Sequence, residues 1–119
     1  MEQVTNQSNH QTTADDILNF NDQKTITIEV ASWGGKKLTL KNLSALDREE
    51  IIKASKKPDG DMDTAIFNAM LIIKCCVSPK FEPRQCQALA MKDANVLAEI
   101  ASQINKLSNI ESIKVVKKN

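Results

Sequence analysis

Residues 24–41, KTITIEVASWGGKKLTLK, restrict this chain to folds that contain an antiparallel hairpin. Ile26, Ile28 and Val30 alternate with Thr25, Thr27 and Glu29, and Leu38 and Leu40 alternate with Lys37, Thr39 and Lys41. A period of two on either side of Gly34-Gly35 predicts two strands joined by a tight turn, because both glycines can take the positive φ that such a turn demands. A lone hairpin is marginal in water, so its apolar face needs a cover. The helical segments downstream are predicted to supply it, which makes the fold class α+β, an N-terminal β-hairpin packed on a bundle of about four α-helices.

Those helices are marked by their caps. Ser44 and the acids Asp47, Glu49 and Glu50 open one that should run to about Lys57, before the turn Pro58-Asp59-Gly60. A second is expected from about Asp61 to Val77; residues 65–77 are apolar nearly all round, as in a central buried helix, and Ser78-Pro79 should end it. A third begins near Pro83 with Cys86, Leu89 and Ala90, and Lys92-Asp93-Ala94 introduces a fourth. On that last helix Leu97, Ile100, Ala101, Ile104 and Leu107 hold the spacing of one apolar face. Upstream of the hairpin, residues 1–13 are polar and aperiodic and read as a disordered tail. Thr13 is expected to cap a short helical turn whose Ile17, Leu18 and Phe20 dock on the core. Residues 14–109 are thus read as a single domain, and residues 110–119 as a flexible or helical tail.

Composition narrows the chemistry. Aromatic residues make up 3% of the chain, with no tyrosine, and the net charge is +1, so neither base stacking nor a phosphate-binding footprint is offered overall. Charge is nonetheless uneven. Residues 1–23 hold four acids and no base, whereas residues 24–57 hold eight bases and four acids. The first 20 residues are polar and the longest apolar run, Ala69 to Ile73, is far below spanning length, so a cytosolic protein is expected.

No catalytic constellation is legible. The sole histidine, His10, lies in the polar tail, away from any scaffold that would fix its geometry. Cys75, Cys76 and Cys86 form no CxxC pair and read as small buried apolar residues, reduced and metal-free. Asp59-Gly60-Asp61-Met62-Asp63 hints at calcium, but Thr64 stands at the loop's sixth position and Met70 at its twelfth, where an EF-hand needs glycine and glutamate. These acids read instead as a turn and a helix cap. No cofactor is expected. Trp33, beside the hairpin turn, is either a core residue or a contact for a partner at the hairpin tip.

The order of elements, with the strands ITIEV and KLTLK around the turn GG, the following NLSALDREEI, the segment IIKCCVSPKF and the closing VLAEIASQINKLS, resembles the phage tail assembly chaperone family over about residues 14–109. The resemblance implies a non-enzymatic factor in the host bacterial cytoplasm, absent from the mature virion. It would bind tape measure protein and tail tube protein before the tube polymerises. It also implies a frameshifted longer form, for which the A-rich codons of Lys117-Lys118-Asn119 offer a compatible slip site. A holdase needs exposed apolar surface, and the candidate partner-binding residues are Trp33 with Leu97, Ile100, Ile104, Leu107, Ile110 and Ile113, continued by Val115 and Val116. The alternative from another class is a small nucleic-acid-binding regulator that uses the basic hairpin and first helix.

Overall fold

A computed structural model describes residues 11–108 and Val116. Within them the chain forms α1 (Ala14–Leu18), β1 (Thr25–Val30), β2 (Lys36–Lys41), α2 (Ala45–Ser55), α3 (Thr64–Cys75), β3 (Cys76–Ser78), α4 (Cys86–Ala90) and α5 (Ala94–Leu107). The α+β fold expected from the pattern is the one observed. His10, Ile110, Ile113, Val115 and Lys117–Asn119, singled out above, lie outside the described residues.

β1 and β2 pair antiparallel from Thr25↔Lys41 to Val30↔Lys36, the register that puts every isoleucine, valine and leucine of the alternation on one face. Val30, Leu38 and Leu40 are buried on that face, with Ile26 and Ile28 packed partly beneath them. The opposite face is polar, and Thr27 and Thr39 share a hydroxyl hydrogen bond of 3.0 Å across it. Both turn glycines take positive φ, 71° at Gly34 and 75° at Gly35. The turn is longer than the sequence suggests, because a 3-10 turn, Ala31–Trp33, precedes them and Gly35 N–H closes the loop on Val30 C=O at 3.0 Å.

The helices lie on the apolar face. α3 is the spine: Ala69, Leu71, Ile72, Ile73 and Cys75 are buried, and α2, α4 and α5 all pack against it. Its start is set by Asp63, whose Oδ1 accepts from Ile66 N–H at 3.2 Å, and that of α2 by Ser44, whose Oγ accepts from Asp47 N–H at 3.1 Å. Asp93 caps α5 in the same way, accepting from the N–H groups of Asn95 and Val96 at 2.9 and 3.2 Å. On the flank, Lys74 of α3 bridges Glu50 and Asp47 of α2. Among the described residues the one buried polar side chain, Ser55, donates to Ile51 C=O at 2.6 Å.

Two expectations are corrected. The second helix does not reach Val77: it ends at Cys75, and Cys76–Ser78 becomes a third strand, β3, which pairs antiparallel with β2 through Thr39↔Ser78 and Leu40↔Cys76. The sheet order is therefore β1-β2-β3, with Val77 bulged out of the ladder. An apolar run of this length serves a buried strand as well as a helix, and the adjoining open edge of β2 decides in favour of the strand. Nor does α1 dock. Thr13 caps it as expected, through Asp16 N–H at 3.1 Å, but Ile17, Leu18 and Phe20 stay 65%, 78% and 73% exposed. The cause is a clamp: Asn42 accepts from Lys24 N–H at 2.8 Å and donates to Asp22 C=O at 3.2 Å, so the chain leaves the hairpin base away from the helices.

Candidate functional site

The end of β3 creates an opening in the sheet. After Ser78 comes Pro79, which has no N–H to continue the ladder, so β2 from Lys36 to Leu38 has a strand partner only on the β1 side. The turn Ala31–Trp33 swings Trp33 over this gap, and Phe81 and Leu89 approach from the other side. The result is a cleft of about 770 Å³ with an apolar floor of Trp33, Leu38, Pro79, Phe81 and Leu89. Its rim holds three cations, Lys36, Lys37 and Lys92, and two hydroxyls, Ser32 and Ser78, with no acid among the lining residues. That size and mixture suit an apolar side chain or short extended segment that carries negative charge at its edges.

Of the two readings that the sequence offered for Trp33, the core residue is the one observed. It packs against the core from a half-buried position and also forms a wall of the cleft. The other candidate partner residues divide differently. Leu97 and Ile100 are 2% exposed and Ile104 is wholly buried, so these three are core and present no surface to a partner. The reason is that α5 turns its apolar stripe inward, onto α3 and β2. Leu107, at the helix end, is half-buried against the same core. Two further depressions, between β1 and α5 and between α2 and α5, have Glu99 and Gln103 or Arg48 and Glu49 among their linings.

The cysteines sit as inert groups. Cys75 and Cys76 are buried and Cys86 is half-buried, all as free thiols. Burial pushes the Cys75 thiol up to about 11 and raises Cys76 and Cys86 in the same direction, so each is held as the unreactive thiol near neutral pH. Among the described residues no group of three or more His, Cys, Asp or Glu side chains could hold a metal ion. Also among them, no helix is long and apolar enough to cross a membrane.

The cleft was hidden from sequence reasoning because its walls come from residues 32–38, 78–81, 89 and 92, which only the packing of α4 beside the sheet unites. The legible signals were Trp33 beside a turn and the Ser-Pro after an apolar run. Comparison with protein families, with characterised proteins and with solved structures finds no match to this chain.

Proposed function

We propose that this protein is a non-enzymatic tail assembly chaperone of a long-tailed phage or prophage, which binds tape measure protein and tail tube protein before the tube polymerises. The observation that best supports the reading is the cleft at the hairpin tip, where half-buried Trp33 and Phe81 form apolar walls over buried Leu38 and Leu89 beside a cationic rim. Transient capture of an unfolded or extended client needs a surface of this kind, apolar enough to bind and charged enough at its edge to stay in solution. The contact surface is thereby moved from the buried stripe of α5 to Trp33, Phe81 and the rim lysines.

Co-expression with the tape measure protein of the same tail gene cluster tests the reading. The wild-type chain is expected to keep that protein soluble, and the rim double variant Lys37→Glu, Lys92→Glu is expected to lose most of the effect while retaining its circular dichroism and thermal midpoint. A client equally insoluble with and without the wild-type chain would refute the chaperone function. Equal protection by the rim variant would refute the cleft as its site. Salt-sensitive binding of duplex DNA, lost in the same variant, would favour a nucleic-acid-binding regulator instead.

A further inference from the structure

The cleft and the uncovered α1 segment are complementary, and both belong to this chain. Residues 15–22, DDILNFND, carry three acids and no base, and among the described residues their Ile17, Leu18 and Phe20 form a group of exposed apolar side chains, 65%, 78% and 73% exposed. Asp16 is engaged in the cap of α1, accepting from Thr13 N–H at 3.0 Å, which leaves Asp15 and Asp22 to flank the apolar residues on either side. Opposite them in character stand the apolar floor and the lysines Lys36, Lys37 and Lys92. The segment thus offers apolar side chains flanked by acids, and the cleft offers apolar walls with basic residues in its lining.

Within one copy they do not meet: no residue of the segment lines the cleft. Asn42 holds Asp22 and Lys24 at the base of the hairpin, whereas the cleft lies at its tip. β1 has six residues, so base and tip are about 17 Å apart at the usual rise of a strand.

We propose that the Asp15–Asp22 segment of one copy docks in the Trp33 cleft of a second copy, with Leu18 and Phe20 as the apolar anchors and Asp15 and Asp22 paired to the rim lysines. Segment and cleft are different surfaces, so a single docking event is heterologous and the docked pair retains one free segment and one free cleft. Because the segment fills the site assigned above to a client, self-association and client capture compete. The inference rests on that reading only for this competition and not for the docking itself.

Trp33 is the only tryptophan and the chain has no tyrosine, so its fluorescence reports on the cleft alone. The receptor is the full chain carrying Leu18→Asp and Phe20→Asp, whose own segment is disabled; the probe is a synthetic peptide of residues 12–24, which lacks tryptophan. A saturable change in Trp33 emission is expected, weakened roughly a hundredfold or more when the peptide bears the same two substitutions, as loss of two apolar anchors implies. Lys37→Glu with Lys92→Glu in the receptor should also weaken binding, and a peptide with Asp15→Lys and Asp22→Lys should recover it. In sedimentation, the wild-type chain should associate with rising concentration and the segment variant should stay monomeric. Absence of any emission change up to millimolar peptide, or a wild-type chain monomeric at all concentrations, would overturn the docking. Peptide binding without protection of the tape measure protein would leave it standing and refute the chaperone reading alone.

Discussion

Replacing Ile104 by Ala separates a core role for α5 from a role as a partner-binding face. Ile104 is wholly buried, and its helix packs on both α3 and β2. The substitution removes three carbon groups, a transfer loss of about 2.4 kcal/mol at ~0.8 kcal/mol each. A cavity enclosed by two rigid elements collapses only in part, so the full cost should fall at about 3–4 kcal/mol, within the range for such truncations. With a urea dependence near ~1.5 kcal/mol per molar, the midpoint of unfolding followed by far-ultraviolet circular dichroism should drop by about 2 M with its slope unchanged. Leu46→Ala is the matched control: Leu46 is 71% exposed, and its loss should stay within about 0.5 kcal/mol. If Ile104→Ala were as stable as the control yet failed to protect the tape measure protein, α5 would be an interface and the core assignment would be wrong.

Three further outcomes are expected. Stability should fall in alkali: the Cys75 thiol rises from 9.0 to about 11 on folding, so its contribution is whole below pH 9 and lost as pH climbs through 11. Those two pH units set a ceiling of about 2.7 kcal/mol, and Cys75→Ala should flatten the decline seen in urea titrations between pH 8.5 and 11. What slope remains would include Lys74, raised above 10.5 chiefly by its hydrogen bond to Glu50, which likewise stabilises below that value and fades above it. Asp63→Ala removes the α3 cap and should cost about 1 kcal/mol in the same assay, whereas a neutral result would mean that Asp63 is not what starts the helix. Native protein at pH 8 should react with a thiol reagent at Cys86 before Cys75 and Cys76, with all three reacting at once in denaturant; prompt labelling of Cys75 would contradict its burial.

How much of this was legible in the sequence depends on whether the cause was local. The two hairpin strands, the caps Thr13 and Ser44, and the amphipathic stripe of α5 follow from neighbours a few residues apart and were readable, whereas the hairpin register was not, because the 3-10 turn Ala31–Trp33 lengthens the loop. β3 was not, because Cys75-Cys76-Val77 is equally apolar as helix or strand, and the deciding partner, Leu40, lies far away in sequence. The exposure of Ile17, Leu18 and Phe20 was also missed. Their character argues for burial, and only the long-range clamp of Asn42 on Asp22 and Lys24 carries them away from the core.

The location of the cleft follows from how the core uses up its apolar surface. A three-stranded sheet with helices on one side turns its other side to water, and here that side is lined by Thr25, Thr27, Glu29, Lys37, Thr39 and Lys41. The helices spend their stripes on one another and on the sheet: Ile51 of α2, Leu89 of α4 and Leu97, Ile100 and Ile104 of α5 are all buried. Apart from the α1 segment, which lies off these layers, an apolar cleft can then persist where a layer is incomplete. The sheet is incomplete at one corner, where Pro79 stops β3 short and leaves Lys36–Leu38 without a neighbour on that side. Leu38 and Leu89 would be left open to water there, and Trp33 and Phe81 lean in to cover them without closing the gap. A proline that ends a strand therefore generates the site, while the glycines at the hairpin tip aim its one large aromatic wall.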